Sequence, residues 1–392
     1  MIEFMKRVWV EIDLDCITEN ISEIRKILPD PRIIAVVKAN GYGHGALEVA
    51  QHFESIGVDF FAVSSLREAM DLRNGGINGK ILILGFTSPD EAGVLTDNGF
   101  SQTVYSYEYA KALSLALGGK ELDIHIKLNT GMNRLGFDCC DADPIDEIEN
   151  TLGLTGLRFE GIFTHFASAD FDGDDSGEFT KLQYSRFINV SDRLERDGFH
   201  PVLRHCCNSA ATLFYPEFGL DAVRLGIIIY GLTPSADLKL PCKLRPAMTF
   251  KAVVSMIHTV KKGQTLSYGR THKAERDMTA ATVTVGYADG YPRFMSDKGE
   301  VLIGGKRCKI LGRVCMDQMI VDISGVENVK SGDEVVLFGR QGDEFIPVEE
   351  IAEFGGTINY EIVCGISRRV PRYYLKNGKK ITVHDYLLGE DD

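Results

Sequence analysis

The stretch IIAVVKANGYGHGA, Ile33 to Ala46, decides how the chain is read. An apolar run from Ile33 to Val37 ends abruptly at Lys38, and Tyr42 and His44 follow, set among Gly41, Gly43 and Gly45. A short apolar run bounded by turn signals predicts a buried strand of the parallel-sheet kind. Lys38 then stands at the strand's carboxyl end, where α/β folds place their chemistry. A lysine desolvated there has a lowered pKa and becomes a nucleophile toward a carbonyl. The plainer alternative is a lysine that caps the strand and points to solvent. GYGHG has the spacing G-x-G-x-G, so it is not the G-x-G-x-x-G of a dinucleotide site.

Similar runs recur outward from this one. The pattern predicts strands at 33–37, 60–63, 81–84, 102–105, 124–128, 161–163, 202–205 and 222–225. Most intervening segments can hold a helix. Ser65 with Glu68 reads as a capping box, and Ser88-Pro89 and Asp143-Pro144 read as helix starts. Strands alternating with helices imply right-handed βαβ units and a parallel sheet. Eight units in about 230 residues match a (β/α)8 barrel of the TIM type, with a doubly wound open sheet as the alternative.

Pro234, Pro241 and Pro246 mark a linker. Beyond it come β-rich pieces at 250–260, 280–287, 301–303, 319–323, 334–338 and 381–384, separated by turn-like glycines. The expected organisation is an α/β barrel over 1–238 and a smaller, mainly antiparallel β-domain over 239–392.

A net charge of −13 argues against nucleic acid as a partner. No apolar run approaches the ~20 residues of a membrane span. The opening MIEFMKRVWVEIDLD has no apolar signal core, and nine cysteines, an odd number without C-x-x-C, fit a reducing cytoplasm. No metal is expected. Asp170, Asp172 and Asp174 have calcium-loop spacing, but Asp175 and Lys181 stand where a glycine and a bidentate glutamate belong.

Polar residues unusual at strand ends fall on one face of this barrel, the face that carries active sites. They are Lys38, then Lys127, Asn129 and Arg134, then His165, Asn208 with Ser209, and Arg224 with Gly226 and Ile227 behind it. Their chemistry suits a phosphorylated, carbonyl-bearing cofactor. Lys38 can hold a carbonyl as a Schiff base, and Ser209 with backbone N–H groups near Gly226 and Ile227 can hold a phosphate. A guanidinium at Arg224 can only donate to a pyridine nitrogen, which keeps the ring unprotonated and weakens it as an electron sink.

These residues belong to longer motifs: AVVKANGYGHG at Lys38, KLNTGMNRLGF from Lys127 to Phe137, FTHFASAD at His165, HCCNSAAT at Asn208 and VRLGIIIYG at Arg224. LSYGR at Tyr268, VGYADGYPR at Tyr287, VCMDQ at Met316 and TINYEIVCGISRRVPR at Tyr360 continue the series. Through them the chain resembles, nearly end to end, the alanine racemases, pyridoxal-phosphate enzymes with a barrel and an appended β-domain. The Lys38 motif is shared with the wider group of barrel-fold pyridoxal-phosphate proteins. YGR, GYADG and CMDQ together are specific to the racemases.

The resemblance implies roles. Lys38 holds the cofactor and acts as base on one face of the substrate Cα, and Tyr268 of the partner subunit acts on the other. His165, with Arg224 behind it, tunes that phenol. Arg134 and the Met316 backbone N–H hold the substrate carboxylate. Tyr42, Asn208, Ser209, Gly226, Ile227 and Tyr360 bind the cofactor. Tyr287, with Tyr360 and Tyr268, narrows the access channel. Lys127 carries a carbamate in many family members and is otherwise a lysine in an ion pair. Many members have Asp where this chain has Asn129. Cys315, beside Met316, is read as packing. The implied protein is a cytoplasmic head-to-tail homodimer that interconverts L- and D-alanine for peptidoglycan. Alternatives are a racemase for another amino acid such as serine, a decarboxylase of the same architecture, and a non-catalytic cofactor carrier.

Overall fold

Apolar, β-branched runs that are buried on both faces pair in parallel and are covered by helices. In the computed structural model, which describes residues 7–28, 31–171, 175–235 and 239–388, eight such strands form one ring. Their order is Ala222–Leu225, Arg32–Val36, Phe60–Val63, Lys80–Ile83, Phe100–Val104, Leu122–Asn129, Leu157–Phe163 and Leu203–His205, every neighbour parallel. The ends meet: Arg224 N–H donates to Cys207 O at 3.0 Å, and Asp221 N–H to Arg204 O at 3.1 Å. Neighbours in space are therefore neighbours in sequence all the way round. That is a barrel, and it removes the open doubly wound alternative.

Helix starts follow local chemistry. Ser65 Oγ accepts Glu68 N–H at 3.4 Å and Ser106 Oγ accepts Tyr109 N–H at 3.3 Å, each opening a helix. The expected box at Ser65 closes only halfway. The Glu68 carboxylate reaches Ser64 N–H at 2.7 Å instead of Ser65. Asp143 accepts Ile145 N–H at 3.2 Å ahead of the helix Ile145–Leu152. Ser88 makes no side-chain cap, and Pro89–Glu91 is a 3-10 turn before the helix Ala92–Asp97.

The described residues divide into two units, 18–41 with 46–245, and 7–17 with 42–45 and 246–388. The second is a mainly antiparallel sheet. Across it run Lys306–Lys309, Glu300–Ile303, Glu334–Gln341, Met248–Val260, Val8–Asp13, Arg372–Lys376 and Lys379–His384. Met278–Val283 pairs with both Met248–Val260 and Met319–Asp322.

The expected division differs from this in two places. Val8–Asp13, assigned with the barrel from its position in the chain, lies antiparallel to Met248–Val260 and parallel to Arg372–Lys376. Residues 42–45 also belong to the second unit, where Gly43 O accepts from Arg372 Nε at 3.3 Å and His44 O from Tyr374 OH at 3.0 Å. The expected boundary after residue 238 falls outside the described residues, as do Asp172 and Asp174 of the acidic loop. The run at 280–287 leaves the sheet after Val283, because Tyr287–Asp289 forms a 3-10 turn. Among the described residues no cluster of three His, Cys, Asp or Glu side chains is placed for a metal, and no helix is long and apolar enough to cross a membrane.

Candidate active site

The chain leaves the first barrel strand through a left-handed turn, Lys38–Tyr42. Ala39, Asn40, Gly41 and Tyr42 have φ of 52°, 56°, 59° and 53°. A left-handed residue with a Cβ costs roughly 1–2 kcal/mol, so the turn needs anchoring. Ala39 N–H donates to Glu68 Oε1 at 2.8 Å, Gly41 N–H to Val37 O at 2.8 Å and Ala46 N–H to Asn40 Oδ1 at 3.0 Å. These contacts fix the backbone from which Lys38 rises.

Parallel strands bring the other barrel residues to the same end. Arg224 is buried in the last strand. Its Nη1 donates to His205 Nδ1 at 2.7 Å and His205 O at 2.9 Å. Its Nη2 donates to Thr164 O at 2.7 Å, Cys206 O at 3.1 Å and His165 Nδ1 at 3.4 Å. Nε finds no acceptor among the described residues. Burial pulls the Arg224 pKa down to about 10, which leaves it charged at neutral pH. Burial first, then the charges of Arg224, Lys127, Arg134 and Lys38, holds His165 neutral, far below an ordinary histidine. Since Arg224 can only donate, His165 Nδ1 is an acceptor and its proton sits on Nε2.

Lys127 lies in the fifth strand, 5% exposed, with Nζ donating to Leu128 O at 2.7 Å and 5.2 Å from the Phe163 ring centre. Burial, then Arg224 and Arg134, drives its pKa well below an ordinary lysine. Asn129 does not bond to it. Its Oδ1 accepts Asn133 N–H at 2.9 Å and Gly131 N–H at 3.3 Å, shaping the loop that leads to the exposed Arg134.

After the seventh strand, Asn208 caps the helix Ser209–Phe214 by accepting Ala211 N–H at 2.9 Å. Ser209 Oγ accepts Gly226 N–H at 2.9 Å, which ties this helix start to the 3-10 turn beginning at Ile227. A hydroxyl and backbone N–H groups of two adjacent helical turns suit an anion.

In the second unit the rings of Tyr42 and Tyr360 lie 6.0 Å apart. Tyr287 N–H donates to Cys315 O and Ala288 N–H to Met316 O, each at 3.0 Å. Ser267 Oγ donates to Arg313 O at 2.7 Å and lies 3.8 Å from Cys315 Sγ. The LSYGR, GYADG and CMDQ motifs thus meet around Cys315, through its backbone carbonyl and the approach of its Sγ to Ser267. Asp289 clamps this junction, paired with Arg7 at 2.9 Å and Arg369 at 2.8 Å. Burial opposes its charge, but these arginines and Gly286 N–H hold the carboxyl below its usual range. Tyr268, Met316 and Tyr287 are 68%, 52% and 42% exposed in the single chain.

Sequence reasoning overlooked Glu68 as an anchor of the Lys38 turn and His205 as the partner of Arg224. It also missed His125 and Glu160 behind His205, where His125 approaches His205 at 2.8 Å and Glu160 at 3.2 Å. A signal was present. LDIHIKLN alternates polar and apolar residues in a strand buried on both faces.

The arrangement can be set beside known proteins. The family model described as "Alanine racemase, N-terminal domain" matches residues 12–234, and "Alanine racemase, C-terminal domain" matches 247–374. The alanine racemase of Desulforamulus reducens is 46% identical over 94% of this chain and 99% of its own length. Alanine racemase of Clostridium difficile superposes with a TM-score of 0.92 at 38% identity, covering 98% of this chain and 100% of that one. The Bacillus anthracis alanine racemase with bound L-Ala-P gives 0.91 at 39%, covering 98% and 99%. A histidine racemase from Leuconostoc mesenteroides gives 0.86 at 29%, covering 95% and 98%. With both family domains matched across most of its length, this chain belongs to the alanine racemase family of isomerases.

Proposed function

We propose that this chain interconverts L- and D-alanine with pyridoxal phosphate, passing the Cα proton between Lys38 and Tyr268 of the partner subunit. Arg224 carries the reading. Its Nη groups are committed to protein acceptors, and Nε has none among the described residues. A donor-only group suits a ring nitrogen that stays unprotonated, whereas a decarboxylase gains from an acidic residue there. Ser209, Asn208, Gly226 and Ile227 match a phosphate in donor chemistry. Tyr42 and Tyr360, paired in their own unit, take the cofactor-binding role the resemblance implies.

When bound, the cofactor supplies a carbonyl for the substrate amine and withdraws electrons from Cα. The protein does the rest. Lys38 removes or returns a proton at Cα from one face. Tyr268 of the partner subunit does so from the other, as inversion requires. A free phenol, with a pKa near 10, is a poor base at neutral pH. An Nε2–H donor on His165 and the Arg224 charge behind it both favour the phenolate. Arg134 and the backbone N–H of Met316 of the partner subunit orient the carboxylate, and the partner's Tyr287 narrows access. Burial beside the Arg224 and Arg134 charges disfavours the Lys127 ammonium; the free amine can attack carbon dioxide, forming an N–C bond and releasing a proton, and the resulting carbamate anion would orient Arg134.

Exposure of Tyr268, Met316 and Tyr287 supports a second copy covering them in a homodimer. An odd cysteine count supports the cytoplasm, and D-alanine supply for peptidoglycan is the expected use. The histidine racemase neighbour supports a second reading, a racemase for another amino acid such as serine or histidine.

Subunit mixing tests shared sites. Lys38→Ala and Tyr268→Phe proteins are each inactive. Refolded together in equal amounts, they regain about a quarter of the normal rate, because half the dimers are mixed and each mixed dimer has one intact site. No recovery with mixed dimers present would contradict the assignment of Tyr268 to the partner's site.

A further inference from the structure

Behind Arg224 a chain of buried polar groups runs down the barrel interior. Arg224 Nη1 meets His205 Nδ1 at 2.7 Å, His205 Nε2 meets His125 Nδ1 at 2.8 Å, and His125 Nε2 meets Glu160 Oε2 at 3.2 Å. Ser101 Oγ donates to the same Glu160 oxygen and Lys80 Nζ to the other. His125 and His205 are fully buried, and Glu160 is 4% exposed.

Donor chemistry makes the chain one-way. A guanidinium has no acceptor, so His205 Nδ1 must accept. A neutral His205 then carries its proton on Nε2 and donates to His125 Nδ1. His125 in turn carries its proton on Nε2 and donates to the Glu160 carboxylate. Every link follows from the first, and none can be reversed without two donors or two acceptors facing each other.

Packing supports this geometry. A Cβ at Gly161 would stand 2.5 Å from the His125 ring, so glycine makes room for it. Phe163 stacks on His205 at 4.9 Å with 7° between the planes, and its ring centre lies 5.1 Å from the Arg224 guanidinium carbon.

Arg224 has a further requirement. Three backbone carbonyls already hold its position. No carboxylate lies within ion-pair distance of it among the described residues. A buried cation without a counter-charge is costly. Glu160 is the carboxylate to which its hydrogen bonds lead.

We propose that Glu160 is a remote positioning residue for Arg224. Through His125 and His205 its carboxylate, also paired with Lys80, places negative charge at the end of the chain that Arg224 begins and accepts from the last Nε2–H, so that the Nη groups of Arg224 stay on protein acceptors and Nε is left for the cofactor. The rate effect rests on the racemase reading; the tautomers do not.

Long-range proton–nitrogen NMR on the protein labelled with 15N-histidine reads the tautomers at neutral pH without substrate. His125 and His205 should each show a protonated Nε2 and a bare Nδ1. A proton on Nδ1 of either ring, or on both nitrogens, would overturn the relay. Glu160→Gln keeps an acceptor of the same shape and removes the charge. Its kcat for alanine should fall about tenfold per folded molecule, with KM within about twofold. Unchanged kcat in a folded variant would overturn the counter-charge role. If that variant does not fold, the wild-type tautomers still decide the relay. A wild-type protein that shows the tautomers but inverts no amino acid would refute the racemase reading and leave the relay standing.

Discussion

The Glu68 carboxylate accepts the backbone N–H of Ala39 at 2.8 Å, immediately after Lys38, while its second oxygen accepts Ser64 N–H at 2.7 Å. One side chain from a neighbouring helix start thereby braces a left-handed turn that includes three non-glycine residues, Ala39, Asn40 and Tyr42, directly after the proposed base. Charge-assisted bonds of this kind contribute about 1.5–3 kcal/mol. Glu68→Ala should lower the thermal midpoint by about 2–6 °C and reduce kcat more than it changes KM. Calorimetry and steady-state kinetics on the same preparation check both, and a normal kcat would argue that the turn holds without Glu68.

Gly43 tests the backbone next to this turn. It has φ +82°, and a Cβ there would come within 2.0 Å of Val363 O. Gly57 has φ +80° with open space around it. Gly57→Ala should cost only the conformational penalty, about 1 kcal/mol, whereas Gly43→Ala should cost about 3 kcal/mol or more. Urea unfolding of the two variants measures the difference, and equal losses would contradict the close approach.

Acid should destabilise the fold through its buried histidines. Burial pulls His125 down to about 3, and His165 and His205 are likewise held well below ordinary histidine. For a folded pKa below the unfolded value of about 6.5, the unfolded chain binds the extra proton in between. Stability is then fully present above about pH 6.5 and falls as the pH drops, by up to ~1.4 kcal/mol per pH unit for each such group. The thermal midpoint should decline from pH 7 to pH 5, and His125→Asn should flatten that decline. An identical pH slope in the variant would show that His125 titrates normally.

Lys127 makes a chemical prediction. Burial beside two arginine charges disfavours the Lys127 ammonium and favours the carbamate anion. A well-ordered crystal grown with bicarbonate should show added density at Lys127 Nζ. A bare amine there would leave Arg134 to be oriented by its own loop, which Asn129 already shapes through Asn133 and Gly131.

Local patterns were legible where a residue's role depends on its own neighbours in the chain. Phe60–Val63 and Ala222–Leu225 occupy the positions their apolar runs predict, and Lys38, His165 and Arg224 fall at the carboxyl ends of parallel strands. What escaped depends on distant partners. VWVEID at Val8–Asp13 has clear strand alternation, yet nothing in it announces pairing with Phe250 and Arg372. Glu68 matches a capping motif, and only the folded turn turns its carboxylate toward Ala39. His125 and Glu160 look like isolated polar residues until the barrel sets them side by side.

The most direct test of the account is chiral chromatography of L-alanine incubated with the purified protein and pyridoxal phosphate, with serine, histidine, lysine and arginine in parallel. The account predicts conversion of alanine toward an equal mixture, well ahead of the others, with serine trailing by about 10–200-fold. Faster inversion of another amino acid would move the assignment to that substrate. No inversion of any of them, with the cofactor held at Lys38, would contradict the two-base racemase.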